Sequence, residues 1–158
     1  MNRSIDGGEH WKRLDEGWPA EQWVFDIAFD PRDADVMYAC SLNGQNKGTG
    51  VDGFHGTVMK STNAGELWTE IITGLPDQQF YSVEVDPLTP DTVYLAGEQG
   101  VYRSTDAGQS WVNWSEGLLN PMASHPDNIT KPLDISKDGR YLFFGSDGSG
   151  LFRRRIAP

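Results

Sequence analysis

Ser104-Thr105-Asp106-Ala107-Gly108-Gln109-Ser110-Trp111 is the stretch that decides the fold, because the chain contains three versions of it. The other two run from Ser4 to Trp11 and from Ser61 to Trp68, and the shared pattern is Ser-x-Asp/Asn-x-Gly-x-x-Trp. A basic residue stands directly before each copy. We call each eight-residue copy a box and number the boxes 1 to 3 along the chain.

The residue types of a box predict a tight turn between two strands. An Asp or Asn side chain folds back readily onto nearby backbone N–H groups. Gly two positions later supplies the positive φ that a tight reversal needs, the Ser hydroxyl adds a local hydrogen bond, and Trp anchors the outgoing strand. The residues given this structural role are Ser4, Asp6, Gly8, Trp11, Ser61, Asn63, Gly65, Trp68, Ser104, Asp106, Gly108 and Trp111.

The three boxes resemble the Asp-box (BNR) repeats of sialidases, sortilin-type receptors and xyloglucanase-like glycoside hydrolases. The resemblance extends over essentially the whole chain, because the residues between the boxes repeat as well. It implies a β-propeller built of four-stranded antiparallel blades. It also implies that the boxes are structural and lie away from the catalytic face.

The spacing of the boxes has the length of propeller blades, with 57 residues from Trp11 to Trp68 and 43 from Trp68 to Trp111. We name the strands of a blade A to D outward from the axis, so that each box joins C to D. The chain then reads D, ABC, D, ABC, D, ABC. It is predicted to be one all-β domain of about three blade repeats, approximately 1–60, 61–103 and 104–158.

Three blades do not close a ring, and an open propeller leaves unpaired strand edges and bare apolar faces. Two explanations remain open. Either the chain is part of a longer propeller, or copies associate and each lends its first D strand to the last blade of its neighbour. The second explanation predicts a homodimer that closes a six-bladed ring.

Composition excludes several partner classes. Thirteen Lys and Arg against 23 Asp and Glu give a net charge of −10, which argues against nucleic acid and anionic membranes as partners. No apolar run is long enough for membrane insertion as a helix. The single cysteine, Cys40, lies in an apolar strand and is predicted to be a buried thiol. No Cys/His metal site and no cofactor are predicted, and a secreted or cell-surface location is favoured.

The expanded loops mark the predicted binding face. The D–A loops at 15–23 and 115–128 and the B–C loop at 43–56 belong to the propeller face opposite the boxes, which we call the loop face. Loops longer than a turn requires often carry function. The candidate ligand-binding residues on them are Trp18, Trp23, Asp52, Phe54, His55 and His125. Aromatic rings stack on sugar rings and carboxylates accept hydrogen bonds from hydroxyls, so this set predicts an oligosaccharide ligand; the alternative is that the two Trp side chains only cover a blade edge.

Asp26, Glu84 and Asp134 are the weak catalytic candidates, because all three fall in A strands beside the predicted channel. Paired carboxylates there could act as acid, base or nucleophile in glycoside cleavage, or they are solvated channel residues. Xyloglucanase-like enzymes place their carboxylates in a cleft between two complete propellers, which this chain alone is too short to form. No arginine cluster with a Tyr nucleophile is assignable, so sialidase chemistry is poorly supported.

The sequence therefore predicts a propeller module related to glycoside hydrolases that recognises glycan through its loop face, with catalysis left open. The alternative is a non-enzymatic scaffold that resembles sortilin-type or photosystem-assembly propellers and binds protein through the same face.

Overall fold

The computed structural model describes residues 1–19, 22–43, 56–118, 132–146 and 148–157, and every regular element in these ranges is a β-strand. All strand pairs are antiparallel. Hairpin 1 consists of β1 (Asn2–Arg3) and β2 (Lys12–Arg13), and blade 1 consists of β3 (Gln22–Asp30), β4 (Asp33–Asn43), β5 (Gly56–Ser61) and β6 (Thr69–Glu70). Blade 2 consists of β7 (Phe80–Val85), β8 (Val93–Gly97), β9 (Gly100–Ser104) and β10 (Val112–Asn113). Blade 3 consists of β11 (Leu133–Ile135), β12 (Tyr141–Ser146) and β13 (Gly150–Arg155).

This strand order confirms the all-β fold class of incomplete propeller blades. Blades 1 and 2 each carry four strands in the order A to D, blade 3 carries A, B and C, and hairpin 1 pairs the end of a C strand with a D strand. Within the described ranges, no helix has the length and apolar character to cross a membrane.

One strand bound differs from the sequence expectation. β3 begins at Gln22, so Trp23 lies in a strand and not in the 15–23 loop. β4 begins at Asp33, and Asp30 pairs with Asp33 across the Pro31–Arg32 turn. The Asp30 carboxylate closes this turn by accepting hydrogen bonds from the backbone N–H of Arg32, at 2.8 Å, and from its guanidinium.

Adjacent blades pack face to face through apolar side chains. Tyr38, Cys40 and Val58 of blade 1 form one core with Val83 and Leu95 of blade 2, and all five are fully buried. Burial of side chains of this size contributes about 1.5–3 kcal/mol each. Cys40 is therefore the buried thiol that the sequence predicts.

The box turns close by the hydrogen bonds that their residue types predict. In box 3 the Ser104 hydroxyl donates to Asp106 Oδ1 at 2.7 Å and accepts from the Gly108 N–H at 2.8 Å. Asp106 Oδ1 also accepts from the backbone N–H of Ser110 at 2.9 Å. Boxes 1 and 2 repeat all three bonds. These three hydrogen bonds join groups of the same box, so each turn is closed by its own residues.

One feature of the boxes does not follow from the sequence pattern. The residue before the Gly that all three boxes share also has a left-handed backbone, with φ of 55° at Ala64 and 57° at Ala107. This geometry turns the Ala carbonyl toward the preceding blade, where a basic side chain reaches it. Arg3 donates to the Ala64 carbonyl oxygen at 2.8 Å, and Lys60 donates to that of Ala107 at 2.9 Å. The basic residues before boxes 1 and 2 thus latch their sheets to the box of the next blade.

The box hydrogen bonds predict a specific acid sensitivity. Hydrogen bonds from the side chains of Ser110 and Ser104 hold the pKa of Asp106 at about 2, below its ordinary value of 3.8. Because the folded-state pKa is depressed, the stability that Asp106 contributes is complete above about pH 4 and is lost as the pH falls toward 2. Box 2 carries the neutral Asn63 in the same place. We therefore expect Asp106→Asn to lose less stability than the parent chain between pH 5 and about pH 2.5 in urea unfolding. An unchanged acid dependence in the variant would contradict this assignment.

Candidate functional site

The predicted site residues divide into those that the structure describes and those that it does not. Asp52, Phe54, His55 and His125 lie outside the described ranges. Trp18, Trp23 and the three A-strand carboxylates lie within them.

The two tryptophans have different surroundings. Trp18 is half-buried and packs edge-to-face on Trp68, with ring centroids 5.1 Å apart at 88°. This contact joins Trp18 to the core between hairpin 1 and blade 1. For Trp18 this packing favours the alternative that the side chain covers a blade edge. Trp23 at the start of β3 is 60% exposed. Of this pair, Trp23 presents its aromatic surface to solvent.

The A-strand carboxylates also differ from one another. Asp26 Oδ2 accepts hydrogen bonds from the Ser82 hydroxyl at 2.8 Å and from the Val83 N–H at 3.1 Å, and so ties β3 to β7. Glu84 in β7 is half-buried, and Asp134 in β11 is exposed. The contacts of Asp26 give it a structural role between two blades, independent of any catalytic one.

A polar cluster at the loop-face end of blade 2 was not anticipated from the sequence. The Tyr81 hydroxyl donates to Gln79 Oε1 at 2.9 Å and lies 3.5 Å from Glu98 Oε1. Glu98 Oε2 accepts from the backbone N–H of Gln79 at 3.3 Å. Burial, together with the charge of Glu98, raises the pKa of Tyr81, so this hydroxyl stays a proton donor throughout the physiological range. We call Gln79, Tyr81 and Glu98 the loop-face cluster.

Gln78 fixes the position of this cluster. Its side-chain Oε1 accepts from the Gln99 N–H at 2.6 Å, and its backbone carbonyl accepts from the Gly56 N–H at 2.7 Å. A Cβ at Gly56 or Gly97 would lie within 2.7 Å of Gln78 atoms, so glycine is needed at both positions for this close approach. The bonds join the start of β5 in blade 1 to the first residues of blade 2. The cluster is thereby built on rigid backbone.

An aromatic contact connects the cluster to β3. The ring of Phe25 packs on that of Tyr81 with centroids 5.8 Å apart. The exposed Trp23 precedes Phe25 by two residues in the same strand, toward the loop face. At this end of blades 1 and 2, Trp23 is exposed and Glu98 is half-buried, whereas Gln79 and Tyr81 are buried, at 2% and 3% exposed.

The sequence signal for this cluster is weak but identifiable. Gln78-Gln79 stand directly before an A strand, and Glu98-Gln99 form the short turn between a B and a C strand. This turn is short, so it does not stand out among loops that are longer than a turn requires.

On the box face, Asp6, Glu9 and His10 form an exposed group close enough to share a cation. His10 Nδ1 lies 2.6 Å from Asp6 Oδ2, and Asp6 Oδ1 accepts from the Ser4 hydroxyl and the His10 N–H. The Asp6 oxygens are therefore already used by the turn, and we assign no metal there.

Comparisons with known proteins show the fold class of this architecture. No protein-family model and no curated protein matches the chain. An ancestral GH74 enzyme superposes with a TM-score of 0.60 at 23% identity, over 87% of this chain and 19% of the enzyme. The GH74 xyloglucanase from Xanthomonas campestris superposes with a TM-score of 0.56 at 17% identity, over 92% of this chain and 24% of the enzyme.

A third similar structure is YCF48 bound to D1 peptide, with a TM-score of 0.51 and 17% identity, over 86% of this chain and 38% of that protein. The chain thus spans well under half the length of each of these proteins. At these identities the likeness establishes a β-propeller-like fold and nothing about activity.

Proposed function

We propose that this propeller module recognises an oligosaccharide on its loop face, at Trp23 and the loop-face cluster. The observation that carries the proposal is the large exposed aromatic side chain of Trp23, 60% accessible, on the strand that leads to fixed amide, phenol and carboxylate groups. A pyranose ring presents a flat C–H surface to an aromatic ring and hydroxyls at its edges. Trp23 suits the first, and the half-buried carboxylate of Glu98, which the buried Gln79 and Tyr81 hold in place, suits the second.

The proposal is recognition, and catalysis stays open. Asp26 is engaged between β3 and β7 through Ser82 and Val83, which favours a structural use of that carboxylate. The likeness to GH74 enzymes, which covers 19% and 24% of their lengths, supports kinship with glycoside hydrolases of the Asp-box type. It makes xyloglucan oligosaccharides the first ligands to test.

Substitution of Trp23 is the test of this function. We expect calorimetric titration with a xyloglucan heptasaccharide and with cellotetraose to show binding to the parent chain. Trp23→Ala should weaken it about 10-fold or more, because burial of an aromatic side chain contributes about 1.5–3 kcal/mol. Trp23→Phe, which keeps a ring, should restore part of the affinity, and Glu98→Ala should also weaken binding.

The matched control is Glu9→Gln on the box face, which removes an exposed carboxylate far from the proposed site and should leave the affinity unchanged. Equal affinities of the parent chain and Trp23→Ala would overturn the stacking role. YCF48 is similar in fold and is seen with a D1 peptide, so the same titration with unstructured peptides tests the scaffold alternative. Binding of peptide without any binding of sugar would favour that alternative.

A further inference from the structure

The chain contains three copies of a socket that receives a box tryptophan. In blade 1 the socket is made by residues that follow β6. The carbonyl oxygen of Thr73 accepts from the backbone N–H of Trp111 at 2.9 Å, and that of Ile71 accepts from its indole N–H at 2.8 Å. Gly74 completes the socket, because a Cβ there would overlap the Trp111 carbonyl. Hairpin 1 forms a similar socket with Glu16 and Gly17 for the backbone of Trp68, but the Trp68 indole N–H has no hydrogen-bond partner within the described ranges.

The third socket holds no tryptophan among the residues that the structure describes. Its residues are Trp114, Glu116 and Gly117. They follow Trp111 in the sequence by the same numbers of residues as Ile71, Thr73 and Gly74 follow Trp68. Nothing lies within 4 Å of a Cβ built on Gly117. A cavity of about 210 Å³ adjoins the socket.

Arg154 partly fills this third socket. Its guanidinium stacks 3.7 Å from the Trp114 ring centroid and donates to the carbonyl oxygens of Trp114 and Glu116, at 3.1 and 3.4 Å. These carbonyls are the equivalents of the two that accept from Trp111 in blade 1. A flexible cation thus takes the hydrogen-bonding place of a box tryptophan without filling its volume.

The first box carries the one box tryptophan that has no socket in the described part of the chain. Trp11 is 64% exposed, whereas Trp68 and Trp111 are 2% and 3% exposed. The carbonyl of Gly7 in box 1 also lacks a basic partner within the described ranges. Gly7 has the position in its box that Ala64 and Ala107 have in theirs, where the carbonyls accept from Arg3 and Lys60. The third basic residue that precedes a box is Arg103.

Arg103 is half-buried in blade 2, and its Nε has no hydrogen-bond partner within the described ranges. A fourth box placed on blade 3 would bring its own carbonyl to this guanidinium, as Ala107 does to Lys60.

A second surface on the same side of the chain as box 1 is uncovered. Val24 and Phe29 of blade 1 are 41% and 53% exposed, whereas the equivalent residues of blade 2, Phe80 and Val85, are 1% and 7% exposed beneath blade 1. These two side chains, with Ile27 and Met37, line an apolar groove of about 490 Å³. We call Val24, Ile27, Phe29 and Met37 the open face.

We propose that box 1 of one copy docks into the third socket of a second copy, with Trp11 entering beside Gly117 and β2 lying along β13. The open face of the first copy then packs on the outer side of blade 3 of the second. The occupant is a second copy because the chain itself supplies both unmatched halves of a contact that it makes twice internally. The exposed Asp33 and Asp35 beside the groove also face Arg153 and Arg155 of the second copy in this arrangement.

Strand positions are consistent with this exchange. Leu151 stands in β13 where Val101 stands in β9, yet it is 74% exposed and Val101 is 1% exposed. The difference arises because Val101 packs on Leu133, Leu142 and Phe144 of blade 3, whereas no blade packs on Leu151 within the described ranges. Met1 to Arg3 have the same place before box 1 that Leu151 to Arg153 have at the end of blade 3. In the proposed dimer β2 would therefore pair with the six-residue β13 of the second copy and no longer with the two-residue β1. Two such contacts related by a two-fold axis close a ring of six blades.

The test is the solution mass of the full chain by light scattering over 5–500 µM. We expect a dimer at the upper concentrations. Trp11→Ala and Leu151→Asp should each shift the midpoint at least 10-fold or abolish the dimer, while both monomers stay folded because both side chains are exposed. In an equimolar mixture of the two variants, a heterodimer has one intact contact and one that carries both substitutions, so the mixture should regain at most part of the dimer.

The controls are Ile5→Ala in box 1 and Val112→Asp on β10, at residues that are 90% and 60% exposed. Both should dimerise as the parent chain does. A strictly monomeric parent chain at 500 µM would overturn the proposal. A dimer that survives Leu151→Asp would overturn it as well. None of these outcomes depends on sugar binding.

Discussion

Trp111→Ala is expected to lower the free energy of unfolding by about 3–5 kcal/mol, as removal of a large aromatic side chain from a packed core does. Trp111 is 3% exposed and belongs to the core between blades 1 and 2. Its indole N–H donates to the Ile71 carbonyl oxygen at 2.8 Å. The substitution therefore leaves a cavity and a buried acceptor without its donor. Urea unfolding followed by circular dichroism measures the effect.

Trp11→Ala is the matched control, because the same residue type stands at the same box position. Trp11 is 64% exposed, and its indole N–H donates only to the Gly8 carbonyl of its own turn. At the low concentrations of an unfolding experiment we expect a loss within about 1 kcal/mol, as at other exposed sites. Comparable losses for the two variants would show that the box tryptophan acts through its turn and not through the neighbouring blade.

The sequence alone predicts the box turns well, because their stabilising bonds are local. Ser104, Asp106 and Gly108 lie within five residues, and the hydrogen bonds among them follow from their chemistry. It does not predict the left-handed backbone of Ala64 and Ala107. Alanine avoids positive φ unless the surroundings impose it, and the carbonyl contacts with Arg3 and Lys60 come from a different sheet.

The candidate site is less predictable, because it depends on contacts between distant segments. Trp23 was identified from its residue type, but its place in β3 depends on pairing with β4. The loop-face cluster joins Tyr81 in β7 to Glu98 in the β8–β9 turn, and neither residue belongs to a recognisable motif. Long loops are a reasonable guide to function, yet here the described polar groups with fixed geometry lie on a short turn.

The two faces of the module also differ in their kind of order. On the box face, boxes 2 and 3 each present a carbonyl and a tryptophan to a neighbouring blade. On the loop face, Gln79, Tyr81 and Glu98 are held together across one blade, and Glu98 is the most exposed of the three. The proposed assembly contact and the proposed recognition site therefore lie at opposite ends of the strands.

Gly74→Ala should cost about 2–5 kcal/mol, because strain and overlap add at this position. Its φ is +89°, where an L side chain costs about 1–2 kcal/mol. The new methyl would also overlap the Trp111 carbonyl oxygen, and forcing such contacts apart costs a further 1–3 kcal/mol, approximately.

Gly117→Ala separates these two effects, because Gly117 has φ of +81° and nothing within 4 Å of a built Cβ. It should cost only the strain, about 1–2 kcal/mol. Urea unfolding of both variants under identical conditions measures the difference, which is the free-energy cost of the overlap between the new methyl group and the Trp111 carbonyl. If Gly74→Ala and Gly117→Ala lose equal stability, the glycine matters only for its own φ. The closeness of each blade to the next would then be set by the side-chain cores alone.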